Sequence, residues 1–218
     1  KVPLDARPRR KGRQYAFAPR HREHYCGYTN AHLWCESGLE EQAMLLLDRD
    51  PDVIEYSCQT VEFIWPIDSA VVSHVPDLFV RLKNGDCRIV DVHDELDERF
   101  AEQRRLTQQA CDDIGWEYEV FTGLGSLQTQ TLLWLSADRH WWIVAGHEET
   151  LTAILERAQS PISVRELCSR VNPDHPHVVR PIVYHALWHR LLDMQWGNRF
   201  RSNTLVWTNP ETIKEMHS

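Results

Sequence analysis

The sequence predicts an α/β protein with two folded domains: a mixed sheet flanked by helices comes first, and a mostly helical domain follows. A helix, several β-type runs, a second helix and a further strand succeed one another up to residue 121. This order is typical of one layered α/β domain. Thr-Gly-Leu-Gly at 122–125 interrupts the pattern, and helical segments prevail from residue 128. We therefore expect a basic arm at 1–28, the α/β domain at 29–123 and the helical domain at 124–218.

The first helix is predicted over 37–47. Its apolar residues recur at the spacing of an amphipathic helix, at Leu39, Ala43, Leu46 and Leu47. Asp50 and Pro51 end it, and Glu40 lies on its polar side. Short β-type runs follow at 53–56, 60–65, 74–82 and 87–93.

The last two of these runs form a predicted antiparallel hairpin, because Asn84-Gly85 between them is a typical hairpin turn. Asp77 lies seven residues before Asn84, and Asp91 lies six residues after Gly85. These similar offsets bring both carboxylates to the same end of neighbouring strands. Asp77 and Asp91 are therefore expected to share a cation.

A helix over 97–114 and a strand over 116–121 complete the first domain, with Gly115 between them. The remaining helices are predicted at 130–137, 149–159, 164–171 and 178–194. Two short runs around 196–207 then form a small hairpin. Helices followed by such a hairpin are typical of a winged helix-turn-helix.

Charge is distributed unevenly along the chain. The net charge is −8, yet the first 24 residues hold eight basic and only two acidic residues. A basic arm suits an anionic partner, because each Lys or Arg set against a phosphate releases counterions. The candidate contacts are Arg9, Arg10, Lys11 and Arg13. The alternative is a disordered, solubilising tail.

The expected carboxylate group suits metal-dependent hydrolysis of phosphodiesters. Mg²⁺ takes oxygen ligands and often uses only one or two protein carboxylates, which Asp77 and Asp91 supply. Glu40 would complete a second position or hold a metal-bound water, and a nearby cationic side chain would orient the nucleophile. His93 is the candidate for that last role, although an imidazole is mostly uncharged at neutral pH.

These motifs resemble a known family. The similar segments are Glu-Ser-Gly-Leu-Glu at 36–40, Asp-Pro-Asp-Val at 50–53, Gln59, Val-Pro-Asp at 75–77, Asp-Val-His at 91–93 and Gly-Trp-Glu-Tyr-Glu-Val at 115–120. Together they resemble the TnsA-like endonucleases of heteromeric transposases, in the PD-(D/E)xK restriction-nuclease superfamily. The resemblance covers about residues 33–122 and implies a restriction-endonuclease-like domain followed by a winged-helix domain.

The resemblance also implies an activity and partners. It implies two Mg²⁺ ions, for which Mn²⁺ would substitute, and cleavage of the non-transferred 5′ strand at transposon ends. Glu40, Asp77 and Asp91 correspond to the acidic, metal-binding positions, and Gln59 corresponds to a residue that supports them. The implied partners are transposon-end DNA, a TnsB-like transposase and a TnsC-like ATPase regulator.

His93 departs from the family, which has lysine at this position. The site then either works with imidazole, or cleaves slowly, or is retained for assembly. The second hypothesis for function is accordingly a non-catalytic DNA-binding subunit that bridges the transposase and its regulator. A stand-alone restriction-type enzyme is a third.

The C-terminal domain offers further candidate DNA contacts. Arg180, His185, His189 and Arg190 would face DNA if 178–194 is a recognition helix, and Arg199 and Arg201 on the wing would meet phosphate. His185 and His189 lie four residues apart, but the His-Glu-x-x-His motif of zinc enzymes is absent. If His185 and His189 do not contact DNA, they are expected to be ordinary residues of the helix face.

Histidine and cysteine cluster near the start of the chain, at His21, His24, Cys26, His32 and Cys35. Zinc binding is one interpretation, and a loop crossing the sheet is the other. The six cysteines lack a disulfide spacing, which predicts free thiols in a reducing compartment. Most of the nine tryptophans are expected in the core. Neither a membrane span nor a leader is predicted, so we expect a cytoplasmic protein. The resemblance implies a bacterial protein that joins the nucleoid when bound to DNA.

Overall fold

A computed structural model describes residues 22–26, 31–67, 70–94 and 98–211. The chain divides into two compact units after Gly123. The candidate arm residues Arg9, Arg10, Lys11 and Arg13 lie outside the described residues. The end of the predicted arm, in contrast, forms a strand at Arg22–Cys26.

The first unit is a mixed α/β domain, as predicted. Its elements are β1 (Arg22–Cys26), β2 (Ala31–Cys35), α1 (Gly38–Arg49), β3 (Val53–Cys58), β4 (Phe63–Ile67), β5 (Ala70–His74), β6 (Leu78–Leu82), β7 (Cys87–Val92), α2 (Glu98–Ile114) and β8 (Glu117–Phe121). The main sheet has the strand order β3-β6-β7-β8. The first three strands are antiparallel, and β8 is parallel to β7. Parallel neighbours need a crossover connection, which α2 provides.

The β6–β7 hairpin confirms the predicted antiparallel pairing. Its turn contains Gly85, whose φ of +91° is a conformation that glycine adopts without strain. The strands pair from Arg81 opposite Cys87 to Leu78 opposite Val90. One further step in the same register sets Asp77 opposite Asp91.

The run predicted at 74–82 is two strands rather than one. Strand β5 ends at His74 and pairs with β4 in a separate two-stranded sheet, whereas β6 begins at Leu78. Pro76 lies in the break. Proline has no N–H to donate to a sheet and restricts the residue before it, so a strand is easily interrupted there.

Helix α1 begins where its capping residue predicts. The Oγ of Ser37 accepts a hydrogen bond from the backbone N–H of Glu40 at 3.1 Å, which satisfies one of the free donors at the helix start. The buried face of the helix consists of Ala43, Met44, Leu45 and Leu47. Helix α1 contacts β3 and β7, and Glu40 in its first turn is near enough to Cys58 and Asp77 to raise the pKa of both.

Helix α2 covers the sheet face from which Phe79 and Ile89 project. These two residues form a buried cluster with Cys111 of α2, and Tyr118 packs against it. Side chains alternate along a strand, so Asp91 and His93 are on the same side of the sheet as Ile89.

The loop predicted across 21–35 is a β-hairpin in the described residues. Strands β1 and β2 pair antiparallel, and the hairpin is tied to α1 by His24, whose Nε2 donates to Asp48 at 2.8 Å. The hydroxyl of Tyr56 donates to the other oxygen of Asp48, also at 2.8 Å. Cys26 and Cys35 are buried, His32 is exposed, and His21 lies outside the described residues. All six cysteines are free thiols, as predicted.

The second unit is helical with a small sheet. Its elements are α3 (Ser126–Leu135), two 3-10 helices (Ser136–Asp138 and Trp141–Ile143), α4 (Glu148–Arg157), β9 (Ile162–Ser163), α5 (Val164–Val171), α6 (Pro176–Trp188), β10 (Leu192–Met194) and β11 (Leu205–Thr208). The sheet has the order β10-β11-β9, and both pairings are antiparallel.

The helix predicted over 178–194 extends beyond the C-terminal end of the observed helix. Helix α6 ends at Trp188, because Arg190 takes a left-handed φ of +60° and the N–H of Leu191 turns back to the carbonyl of Ala186 at 2.9 Å. This is the closing hydrogen bond of a Schellman motif, which ends a helix. The residues after it form β10.

The expectation of a tryptophan-rich core is wrong. Trp188 is the one tryptophan of nine that is fully buried. The exposed ones are Trp34, Trp134, Trp141 and Trp142, and the other four are partly exposed. Within the described ranges, none of the helices combines the length and the apolar character needed to cross a bilayer.

Candidate functional site

Asp77 lies immediately before β6 and is fixed at both its backbone and its side chain. Its Oδ2 accepts the backbone N–H of Val92 at 2.7 Å. Its carbonyl oxygen accepts the N–H of Gln59 at 3.0 Å. No other described residue donates to the Asp77 carboxylate, so Oδ1 remains available to a ligand.

Asp91 is buried within β7, and its carboxylate has two side-chain partners. The Nε2 of His74 lies 2.9 Å from both Oδ1 and Oδ2, and the hydroxyl of Tyr118 donates to Oδ2 at 2.7 Å. A carboxylate only accepts hydrogen bonds, so His74 donates through its Nε2–H. The Asp91 side chain is 2% exposed, and burial at this level requires such compensating partners.

Glu40 lies in the first turn of α1, where its carboxylate is also engaged. Its Oε2 accepts the backbone N–H of Glu36 at 2.8 Å, and its Oε1 accepts the hydroxyl of Ser37 at 3.2 Å. Together with the Glu40 N–H that donates to Ser37 Oγ, these bonds make Glu40 part of the local hydrogen bonding that stabilises the helix start. To bind a metal ion, it would have to exchange these contacts.

The carboxylates influence one another electrostatically. The pKa of Asp77 is raised from 3.8 to about 7, chiefly because the side chain is buried. The N–H of Val92 lowers this pKa, Asp91 and Glu40 raise it by repulsion, and His74 lowers it slightly. Burial together with Glu40 likewise raises the pKa of the neighbouring Cys58 thiol to about 12. Asp77 thus lies where negative charge accumulates and where a cation would be stabilised.

His93 follows β7 and packs against α2. Its ring stacks on Phe100 at a centroid distance of 4.1 Å, and its backbone N–H donates to the carbonyl of Phe121 at 3.0 Å. Its Nδ1 is buried without a hydrogen-bond partner among the described residues. The imidazole therefore has a polar atom to offer, although its ring is held by an aromatic contact rather than by Asp77 or Asp91.

Gln59 reaches the site through its backbone. It has a left-handed φ of +50°, and its N–H fixes the carbonyl of Asp77. A non-glycine residue in this conformation is uncommon and tends to occur where structure or function demands it. Gln59 thus supports Asp77 with its main chain.

Sequence reasoning missed His74 and Tyr118. Tyr118 was inside a correctly predicted strand, and β8 pairs in parallel with β7 so that Tyr118 lies opposite Ile89, two residues from Asp91. A tyrosine on an inward face usually finds a polar partner for its hydroxyl, and this was the available signal. His74 gave no comparable signal, because its contact depends on the separate β4–β5 sheet.

Some of the carboxylate oxygens at the site are suited to a divalent metal ion, and others are already engaged. Asp77 has an available carboxylate oxygen and receives repulsion from two further carboxylates, and both features favour a bound cation. Over the residues that the structure describes, no three His, Cys, Asp or Glu side chains already stand as a ready metal-binding group. Metal binding would thus require Asp91 or Glu40 to exchange partners.

The candidate DNA contacts of the second unit differ in exposure. Arg180, His189, Arg190, Arg199 and Arg201 are all exposed. His185 is buried and donates through Nδ1 to the carbonyl of Asp138 at 2.9 Å, so the hypothesis that it faces DNA is wrong. His189 is bound through Nε2 to the carbonyl of Arg139 at 2.8 Å, which leaves the arginines as the more available cations.

Comparison of the chain with models of protein families and with curated proteins finds no match.

Proposed function

We propose that this chain is a metal-dependent DNA endonuclease that works within a transposase. It would be a TnsA-like subunit that cleaves the non-transferred 5′ strand at transposon ends. The observation that carries the proposal is the β6–β7 register, which ends at Leu78 opposite Val90 and so brings Asp77 to the Asp91 end of the hairpin, where its carboxylate accepts the N–H of Val92. The repulsion that Asp77 receives from Asp91 and Glu40 supports the same assignment.

The order of elements in the first unit supports a restriction-endonuclease-like domain. A helix carrying Glu40 precedes the antiparallel strands β3, β6 and β7, and a second helix leads to the parallel strand β8. This arrangement brings acidic residues from α1, β6 and β7 to one region of the sheet. It is the layout that the resemblance implies for a nuclease of this type.

The acidic residues have two roles in the proposal. Asp77 and Asp91 would hold Mg²⁺, or Mn²⁺ in its place, and Glu40 would complete a second position. A divalent cation held there would supply polarisation of the phosphate and activation of water. The N–H of Val92 and the hydroxyl of Tyr118 orient the two aspartates. His93 would orient the attacking water in place of lysine.

Strand cleavage tests the proposal directly. The substrate is a labelled transposon-end duplex incubated with Mg²⁺ or Mn²⁺, alone and with the transposase and ATPase partners. Asp77→Asn keeps an oxygen to accept the Val92 N–H but removes the charge, so it should abolish nicking. Asp113→Asn, an exposed change on α2, controls for the loss of one negative charge. Nicking by wild type that equals nicking by Asp77→Asn in every partner context would refute the enzyme proposal.

His93→Lys is a sharper variant of the same test. Lysine restores the permanent cation of the family, so cleavage should rise if imidazole limits the rate. The Nδ1 of His93 has no partner among the described residues, and this substitution therefore breaks no polar contact there. Lost cleavage would indicate that the site is specifically adapted to imidazole, and unchanged cleavage would show that imidazole does not limit the rate.

A non-catalytic bridging subunit is the second candidate function. It is favoured by the hydrogen bonds at Asp91 and Glu40, whose carboxylates are engaged by protein groups. In this case the chain would bind DNA, the transposase and the ATPase regulator without cleaving. The strand-cleavage assay separates the two functions, because only the endonuclease loses activity in Asp77→Asn.

We further propose that the second unit is a winged helix that contacts DNA. Helices α4, α5 and α6 are followed by the β10–β11 hairpin, and Arg199 and Arg201 lie in the connection that would form the wing. Replacing both with alanine should weaken DNA binding and reduce the slope of log affinity against log salt by about 2, one for each lost phosphate contact. Arg157→Ala on α4 is the matched control, and equal salt slopes for all three proteins would refute the contact.

A further inference from the structure

His74 is the imidazole that contacts Asp91, one of the two aspartates of the proposed metal site. Its Nε2 is 2.9 Å from both oxygens of Asp91. Two donor atoms that bind one ion at about 2.1 Å and at right angles to each other lie about 3 Å apart. The distance between the hydrogen-bonded atoms is thus compatible with both groups binding one ion, once the Nε2 proton is displaced.

The structure also fixes the imidazole in place. His74 ends β5 and pairs with Phe63 of β4, which in turn packs against the cluster of Phe79 and Ile89. The His74 side chain is 11% exposed, and its Nε2–H is held by both oxygens of Asp91. A ligand held in this way loses little conformational entropy on binding an ion.

We infer that His74 is a protein ligand of the catalytic cation beside Asp91, and that it gives the site a preference for Mn²⁺ over Mg²⁺. This inference rests on the proposed function. The ion would replace the proton that Nε2 now shares with Asp91, and that proton would move to Nδ1 or to solvent. Tyr118 remains on Asp91 and keeps the carboxylate oriented.

The metal preference follows from the donor atoms. Mg²⁺ takes oxygen ligands and retains several waters, whereas first-row transition ions accept imidazole nitrogen readily. A site made of Asp77 and Asp91 alone would favour the hard ion. Addition of the His74 nitrogen shifts the preference toward Mn²⁺, and a second imidazole at His93 is not needed for this effect.

Metal binding to the full chain tests the inference without relying on cleavage. Titration with Mn²⁺, followed by the electron paramagnetic resonance of the free ion, gives its affinity, and competition gives that of Mg²⁺. His74→Gln should weaken Mn²⁺ binding about tenfold or more and Mg²⁺ binding much less. Pulsed spectra of bound Mn²⁺ should show the coupling of a coordinated imidazole nitrogen, and His74→Gln should lose it. His93→Gln, the matched control, should retain both properties.

Unchanged Mn²⁺ binding by His74→Gln would overturn the inference, because His74 would then not be a ligand. Tighter binding would also overturn it, because His74 would then compete with the ion for Asp91. Asp91→Asn distinguishes failure of this inference from failure of the proposed function. If Asp91→Asn loses Mn²⁺ while His74→Gln keeps it, only the inference fails; if wild type binds no Mn²⁺, the proposed function fails as well. If His74→Gln does not fold, the imidazole-nitrogen coupling of Mn²⁺ bound to wild type and to His93→Gln tests the inference. Coupling in both proteins supports His74 as the ligand, and absence of the coupling refutes this assignment.

Discussion

Asp77 should lower the stability of the metal-free protein at neutral and alkaline pH. Its pKa rises from 3.8 to about 7 on folding, because burial and the repulsion of Asp91 and Glu40 outweigh the Val92 hydrogen bond and His74. The unfolded chain therefore loses this proton at lower pH than the folded chain does. The contribution of Asp77 to the free energy of unfolding is therefore most favourable below pH about 4 and falls as the pH rises to about 7.

The size of the effect follows from the same pKa values. About 3 pKa units at about 1.4 kcal/mol each correspond to about 4 kcal/mol of lost stability once Asp77 is fully ionised in the folded state. Between pH 5 and pH 8 the loss is about 3 kcal/mol, because part of the penalty is already present at pH 5. Asp77→Asn removes this penalty, since an amide stays neutral and its oxygen still accepts the Val92 N–H.

Urea unfolding with a chelator present, at pH 5 and at pH 8, measures the prediction. Asp77→Asn should be more stable than wild type at pH 8 by several kcal/mol, and the difference should shrink by about 3 kcal/mol at pH 5. Wild type at pH 8 should recover stability on addition of Mn²⁺, whereas Asp77→Asn should not. A variant no more stable than wild type at pH 8, or a difference equal at both pH values, would refute the account of Asp77.

Further substitutions test the geometry around the site. Gly123→Ala and Gly85→Ala should each destabilise the protein by about 1–2 kcal/mol in chemical denaturation, because their φ values of +104° and +91° strain any residue with a Cβ. The Cβ added at Gly123 would lie 2.8 Å from Leu39 Cδ1, the end of a side chain that can move away, and a neutral effect of either substitution would contradict the argument from backbone strain. Tyr118→Phe should cost about 1.5–3 kcal/mol by loss of the hydrogen bond to buried Asp91, and a neutral substitution would show that this bond contributes no net stability.

Local patterns were sufficient where short-range preferences decide the structure. Helix α5 has the bounds that its sequence predicts, Val164–Val171. The Asn84-Gly85 turn fixed the β6–β7 pairing, and the end of α2 fell at Gly115, whose φ is +72°. Capping residues, turn residues and apolar spacing act within a few positions of the chain, so they can be read directly from it.

The sequence by itself therefore determined the α/β order of the first unit and the approach of Asp77 to Asp91. Tertiary structure alone decided which groups bind Asp91, since His74 and Tyr118 are 17 and 27 residues away. His74 reaches Asp91 from the separate β4–β5 sheet, and Tyr118 reaches it from β8 after the α2 crossover. Tertiary structure also decided that the ring of His93 stacks on Phe100, which lies on helix α2. Hydrogen bonds across such separations depend on the packing of whole elements, which no local spacing encodes.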